Sequence, residues 1–158
     1  MIKSFNRPGS GFSMGGPIAF FRMALNSMRT ISRVHLYAWL PVVLLCLAIF
    51  IQSCFASPDI GPSFPLKDKL LHLSAYAFLA YLVFRACRMT RPAWRSPLMI
   101  LVASVLFATL FGASDELHQA FVAARQADGF DLLADFAGGI IGGLVGLMVY
   151  FKAAIWRK

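Results

Sequence analysis

Two short polar segments hold the residues of this sequence whose types and spacing suit chemistry. In the first, Lys67, Asp68 and Lys69 lead to His72 and Tyr76. Asp68, His72 and Tyr76 are four apart, which puts them on one face of a helix. In the second, the run SDELHQ supplies Asp115, Glu116, His118 and Gln119, and Arg125 follows. Asp115 shares a face with His118 and Gln119, at three and four. Asp131 and Asp135 are again four apart, and their stripe continues to Gly138, Gly142 and Gly146. Imidazoles beside carboxylates admit three chemistries. Two histidines with Glu116 or Asp135 suit Zn²⁺ and leave a position for water. Glu116 or His72 alone suits a metal-free general base. Carboxylates and amides also clasp a polar ligand without reaction. No H-E-x-x-H or comparable spacing is present, and His72 and His118 fall on separate helices. The pattern is therefore read as a ligand-binding or structural polar pocket, with no metal, no cofactor and no catalytic residue assigned.

These groups must be positioned by very apolar elements. Of 158 residues, 59% are hydrophobic and only 14% charged, against about 25% charged in a soluble domain; mean hydropathy is +0.70. The apolar residues fall into blocks at about Leu36–Cys54, Leu70–Cys87, Pro97–Ala113 and Leu132–Phe151. Each approaches the roughly 20 residues that cross a bilayer as a helix, and the first and third show no polar stripe of period 3.6. The expected fold is an all-α integral membrane bundle of four transmembrane helices. Residues 1–35 form a basic N-terminal segment, 36–151 the four-helix domain and 152–158 a basic tail. The N-terminal segment suits either an amphipathic surface helix or a loose chain. No small-residue cleavage site follows a short apolar stretch, so no signal peptide is expected.

Charge sets the expected orientation. Lys3, Arg7, Arg22, Arg29 and Arg33 precede the first block. Arg85, Arg88, Arg91 and Arg95 end or follow the second, and Lys152, Arg157 and Lys158 follow the fourth. Only Lys67, Lys69 and Arg125 lie at the opposite ends. The positive-inside rule then puts both termini in the cytoplasm of a bacterial inner membrane protein. All seven acids fall at the outer ends or outer loops, which that rule does not require and an outward-facing site would explain. The net charge of +8 thus marks a cytoplasmic edge facing lipid head groups and excludes nucleic acid as the partner. Membrane lipids are the expected surroundings, and the sequence assigns no oligomeric state. Cys46, Cys54 and Cys87 are read as small apolar residues, not as a bridge or metal set.

Each polar group also has a plainer reading. The glycines of GGIIGGLVG let helices approach closely. Tyr76 and Gln119 suit interhelical hydrogen bonds. Lys67 and Lys69 suit the surface, with Lys69 the better placed to pair with a buried acid. Asp135 resists such a reading, because a charge inside an apolar block costs roughly 2.5–3.5 kcal/mol near a helix centre and faces a partner or water. Lys69, His72 and Arg125 are its available counter-groups.

At these residues the chain resembles the VanZ-like family of small bacterial membrane proteins. One half of the resemblance is D-K-x-x-H-x-x-x-Y, here Asp68, Lys69, His72 and Tyr76. The other is D-E-x-H-Q, then an Arg, then an Asp-rich helix start running into small residues: Asp115, Glu116, His118, Gln119, Arg125, Asp131, Asp135 and Gly138. Ala123 and Ala124 stand where many members have Pro-Gly. The founding member is linked to low-level teicoplanin resistance, so the resemblance implies a cell-envelope role and supplies no catalytic residues. The expected function is binding of a lipid-linked or glycopeptide-like ligand, with contribution to glycopeptide resistance. The alternative is a membrane-embedded hydrolase or transferase acting on a lipid-linked envelope precursor.

Overall fold

Each apolar block forms one helix, because a backbone in hydrocarbon must satisfy its own hydrogen bonds. A computed structural model describes residues 17–55, 66–90, 96–123 and 128–156. Its helices are α1 (Pro17–Ser53), α2 (Lys67–Thr90), α3 (Pro97–Gln119) and α4 (Gly129–Ile155). All four contain stretches long and apolar enough to cross a membrane, starting in α1 at Arg33. The chain divides into two compact units, residues 1–33 and 34–158. The described part of the first is the helical start of α1.

In the second unit, α2 is central. Tyr76, Leu79, Ala80, Leu82, Val83, Phe84, Ala86 and Cys87 of α2 form most of the core, joined by Ala38 and Val42 of α1 and by Ile100 and Ala108 of α3. The surface inverts the pattern of a soluble protein. Leu44, Leu47, Leu106, Leu110, Phe136 and Met148 are exposed, while Asp115, Glu116, Asp131 and Asp135 are buried. Lipid tails accept the first set, and only the bundle interior can hold the second.

Glycine lets α4 sit against two neighbours. Gly138 and Gly142 lie against the backbone of α2 at Leu73 and Ala77, and Gly146 lies against Phe84. Gly139 and Gly143 face α3 instead, at Val105, Ala108 and Leu101. Gly138, Gly142 and Gly146 thus make one line of close approach along α4, and Gly139 and Gly143 make a second beside it.

The third helix is longer than its apolar block. Ser114–Gln119, beyond the apolar run that ends at Ala113, continues α3. Polar residues prolong it because they find partners within the helix. Ser114 Oγ donates to the Phe111 carbonyl at 2.7 Å, and Gln119 Nε2 donates to Asp115 Oδ2 at 2.9 Å. The acids thereby gain fixed helical positions. At the other end, Trp39 Nε1 donates to Thr90 Oγ1 at 3.1 Å and ties α1 to α2.

Candidate functional site

The starts of α2 and α4 and the end of α3 meet at one end of the bundle. Asp128 joins all three. As the residue before α4 it caps the helix, its Oδ1 accepting from the Phe130 N–H at 2.9 Å. Its Oδ2 accepts from Lys69 Nζ of α2 at 2.5 Å. Its own N–H donates to Glu116 Oε2 of α3 at 2.9 Å. The Lys69 ammonium, and then the Phe130 N–H, hold the Asp128 carboxyl below the usual carboxylate range. Lys69 also donates to Asp131 Oδ1 at 2.8 Å.

One turn deeper, His72 Nδ1 lies 3.0 Å from Asp135 Oδ1 and 4.0 Å from Glu116 Oε1. Asp135 is fully buried, at 0% exposure. Its carboxylate packs against Gly112 of α3, where a β-carbon would collide with Oδ2. Of the expected counter-groups among the described residues, His72 reaches Asp135, while Lys69 is held by Asp128 and Asp131. Beyond His72, the Tyr76 ring stacks at 6.1 Å between centroids. Among the described residues, Tyr76 Oη, Glu116 Oε1 and Asp135 Oδ2 are buried with no hydrogen-bond partner.

Asp115 lies beside this group. Ser53 Oγ of α1 donates to its Oδ1, and Gln119 donates to its Oδ2. A cavity of about 260 Å³ opens between α1 and α2. Asp68, His72, Tyr76 and Asp115 line it together with Ala48, Ile49, Leu71 and Ala75.

Ten of the eleven polar residues singled out from the sequence are therefore placed, and nine gather at this end around the cavity or its neighbouring pairs. His118 departs. It turns to α1, with Nε2 3.5 Å from Cys54 Sγ and its ring 4.9 Å from that of Phe50. His72 and His118 thus face different neighbours, His72 toward Asp135 and His118 toward Cys54 and Phe50. Arg125 lies outside the described residues. Three contributors were not anticipated: Asp128, Ser53 and Gly112. The first had a signal, since an Asp just before a periodic apolar run is an N-cap pattern.

The arrangement offers two chemistries. It presents carboxylates, an imidazole and a phenol to a cavity that apolar side chains also line. It also orients an imidazole by a buried carboxylate. The family model described as VanZ/LLP1 matches residues 18–151 of the chain. No curated protein and no solved structure matches it.

Proposed function

This chain belongs to the VanZ/LLP1 family, and from that premise we propose that it is a multi-pass protein of the bacterial cytoplasmic membrane with its acid-rich pocket on the outer face. The sorting of lysines and arginines supports that orientation. A reporter fused after Arg125 is then expected to read external, and one at Lys158 cytoplasmic. A cytoplasmic signal after Arg125 would refute the topology.

In this reading the pocket binds the head of an amphipathic ligand, lipid-linked or glycopeptide-like, and the protein contributes to teicoplanin resistance. The observation that carries it is the mixed cavity, in which Asp68, His72, Tyr76, Asp115 and Gln52 line the same space as Ala48, Ile49, Leu71 and Ala75. The acids favour a head that carries amines or hydroxyls. The unpartnered Glu116 Oε1 lies beside His72 and supports the same preference. The test is susceptibility to teicoplanin and vancomycin in cells with the wild type or Glu116→Gln at equal membrane abundance. Wild-type protection is expected. Glu116→Gln keeps an acceptor for the Asp128 N–H but loses the charge, so capture should weaken about 10-fold or more. Equal protection by both forms would detach the carboxylate from the function.

The His72–Asp135 pair favours a second reading, a hydrolase or transferase acting on a lipid-linked precursor. With its Nδ1–H given to Asp135, His72 keeps Nε2 as a base. That reading requires turnover that rises with pH as the imidazole loses its proton.

A further inference from the structure

The geometry points to a divalent transition-metal site formed by His72 Nδ1, Glu116 Oε1 and Asp135 Oδ1. The inference rests on the pocket reading above and deepens it, because the cation would form the floor of that pocket.

Three observations carry it. The first is reach. One ligand atom from each of the three residues lies within 4.8 Å of the others, and Nδ1 is 3.0 Å from Asp135 Oδ1 and 4.0 Å from Glu116 Oε1. A cation about 2.0–2.2 Å from each donor requires donor pairs about 3–4.4 Å apart. The second is unspent bonding capacity. Glu116 is 8% exposed, yet its Oε1 has no partner and lies toward His72. Its other oxygen is held by the Asp128 N–H at 2.9 Å, which fixes the carboxylate as an outer hydrogen bond fixes a metal ligand. The third is charge. Two buried carboxylates share one imidazole, while the nearby ammonium of Lys69 is held by Asp128 and Asp131. Burying the carboxylates uncompensated is costly, and a divalent cation balances both.

A second group, Asp68, His72 and Asp131, also has the reach. There Asp131 already accepts from Lys69, so the deeper trio is the better site. One imidazole with two carboxylates is a donor set for Zn²⁺ or Mn²⁺. Binding puts the cation where a proton bridges His72 and Asp135, and that proton leaves to solvent. Three protein ligands leave a position open, and His72 lines the cavity into which it would open.

The test uses the full chain purified in detergent, stripped with chelator, then equilibrated with Zn²⁺ and desalted, with metal measured by mass spectrometry. About one Zn²⁺ per chain is expected for the wild type. Loss of an outer-shell partner alone weakens such sites about 10–100-fold, so Glu116→Gln should lose affinity by at least that much. His118→Ala should retain the metal, which separates this site from the Cys54–His118 contact. Co²⁺ substitution reads the same site by its visible absorption, which Asp135→Asn should abolish in protein that stays monodisperse. No uptake by the wild type overturns the inference, as does equal uptake by Glu116→Gln or loss only in His118→Ala. Teicoplanin capture measured in chelator keeps the two readings apart. Capture without metal uptake leaves the pocket and removes the metal; uptake without capture does the reverse.

Discussion

His72→Ala is expected to destabilise the bundle by about 3–5 kcal/mol, the cost of leaving one partner of a buried ion pair alone. Asp135 has 0% exposure, its Oδ1 lies 3.0 Å from His72 Nδ1, and its Oδ2 has no partner. Taking away the imidazole leaves a carboxylate walled in by Gly112 and α4 itself. Adding Asp135→Asn to His72→Ala should then recover most of the loss, because the stranded charge is gone. The cycle is measured by unfolding the four purified forms in detergent, with chelator present so that the pair alone is read. Its size also decides the character of the pair. Hydrogen bonds between transmembrane helices average only about 0.6 kcal/mol in such cycles. A coupling several times larger marks an ion pair, and additive losses would show that the two side chains do not interact.

Gly142→Leu should abolish the folded bundle. A β-carbon at Gly142 would run into the Ala77 carbonyl oxygen of α2, which is backbone and cannot swing aside. Even Gly142→Ala should cost about 1–3 kcal/mol, the range for overpacking an interior. Leucine adds a branched group at the same point and forces α2 and α4 apart. Among α2, α3 and α4, those two helices share the most extensive interface, and between them they hold His72 and Asp135. Structure and site should therefore fail together. Gly129→Leu is the matched control, because nothing lies within 4 Å of a β-carbon there. Thermal unfolding of the two variants in detergent makes the comparison. A normal melting temperature for Gly142→Leu would mean that the helices do not pack as described.

The four helices were legible in the sequence because an apolar run of bilayer length leaves few alternatives. The end of α3 was not. Apolar periodicity stops at Ala113, yet α3 runs on to Gln119 on bonds among its polar side chains. The site was legible as far as one helix face could be counted. Asp68, His72 and Tyr76 share a cavity, and Asp131 and Asp135 lie buried on one stripe. Counting failed where two positions compete. Relative to Asp115, Gln119 is turned by about 40° and His118 by about 60° the other way. Only the neighbouring helix decides between them, and α1 takes His118. Ser53 gave no local signal because its partner is 62 residues away. Asp128 reads as a loop acid until the start of α4 is placed, after which its three bonds follow.

The distance along the chain between His72 and Asp135 has a meaning in time. The two are 63 residues apart, and chains grow at about 5–20 residues per second. His72 is therefore made several seconds before its partner exists. Lys69 waits a similar interval for Asp128 and Asp131, and Glu116 a shorter one. α4, which follows the other three helices in the chain, brings Asp131 and Asp135 to the polar pairs and the glycines that close the packing. A ribosome that stops before Asp128 leaves Lys69 without its two carboxylates and His72 without Asp135. The pairs that Lys69 and His72 make with Asp128, Asp131 and Asp135 therefore form only after α4 has been made, so the site is assembled late and as a unit with the α2–α4 packing.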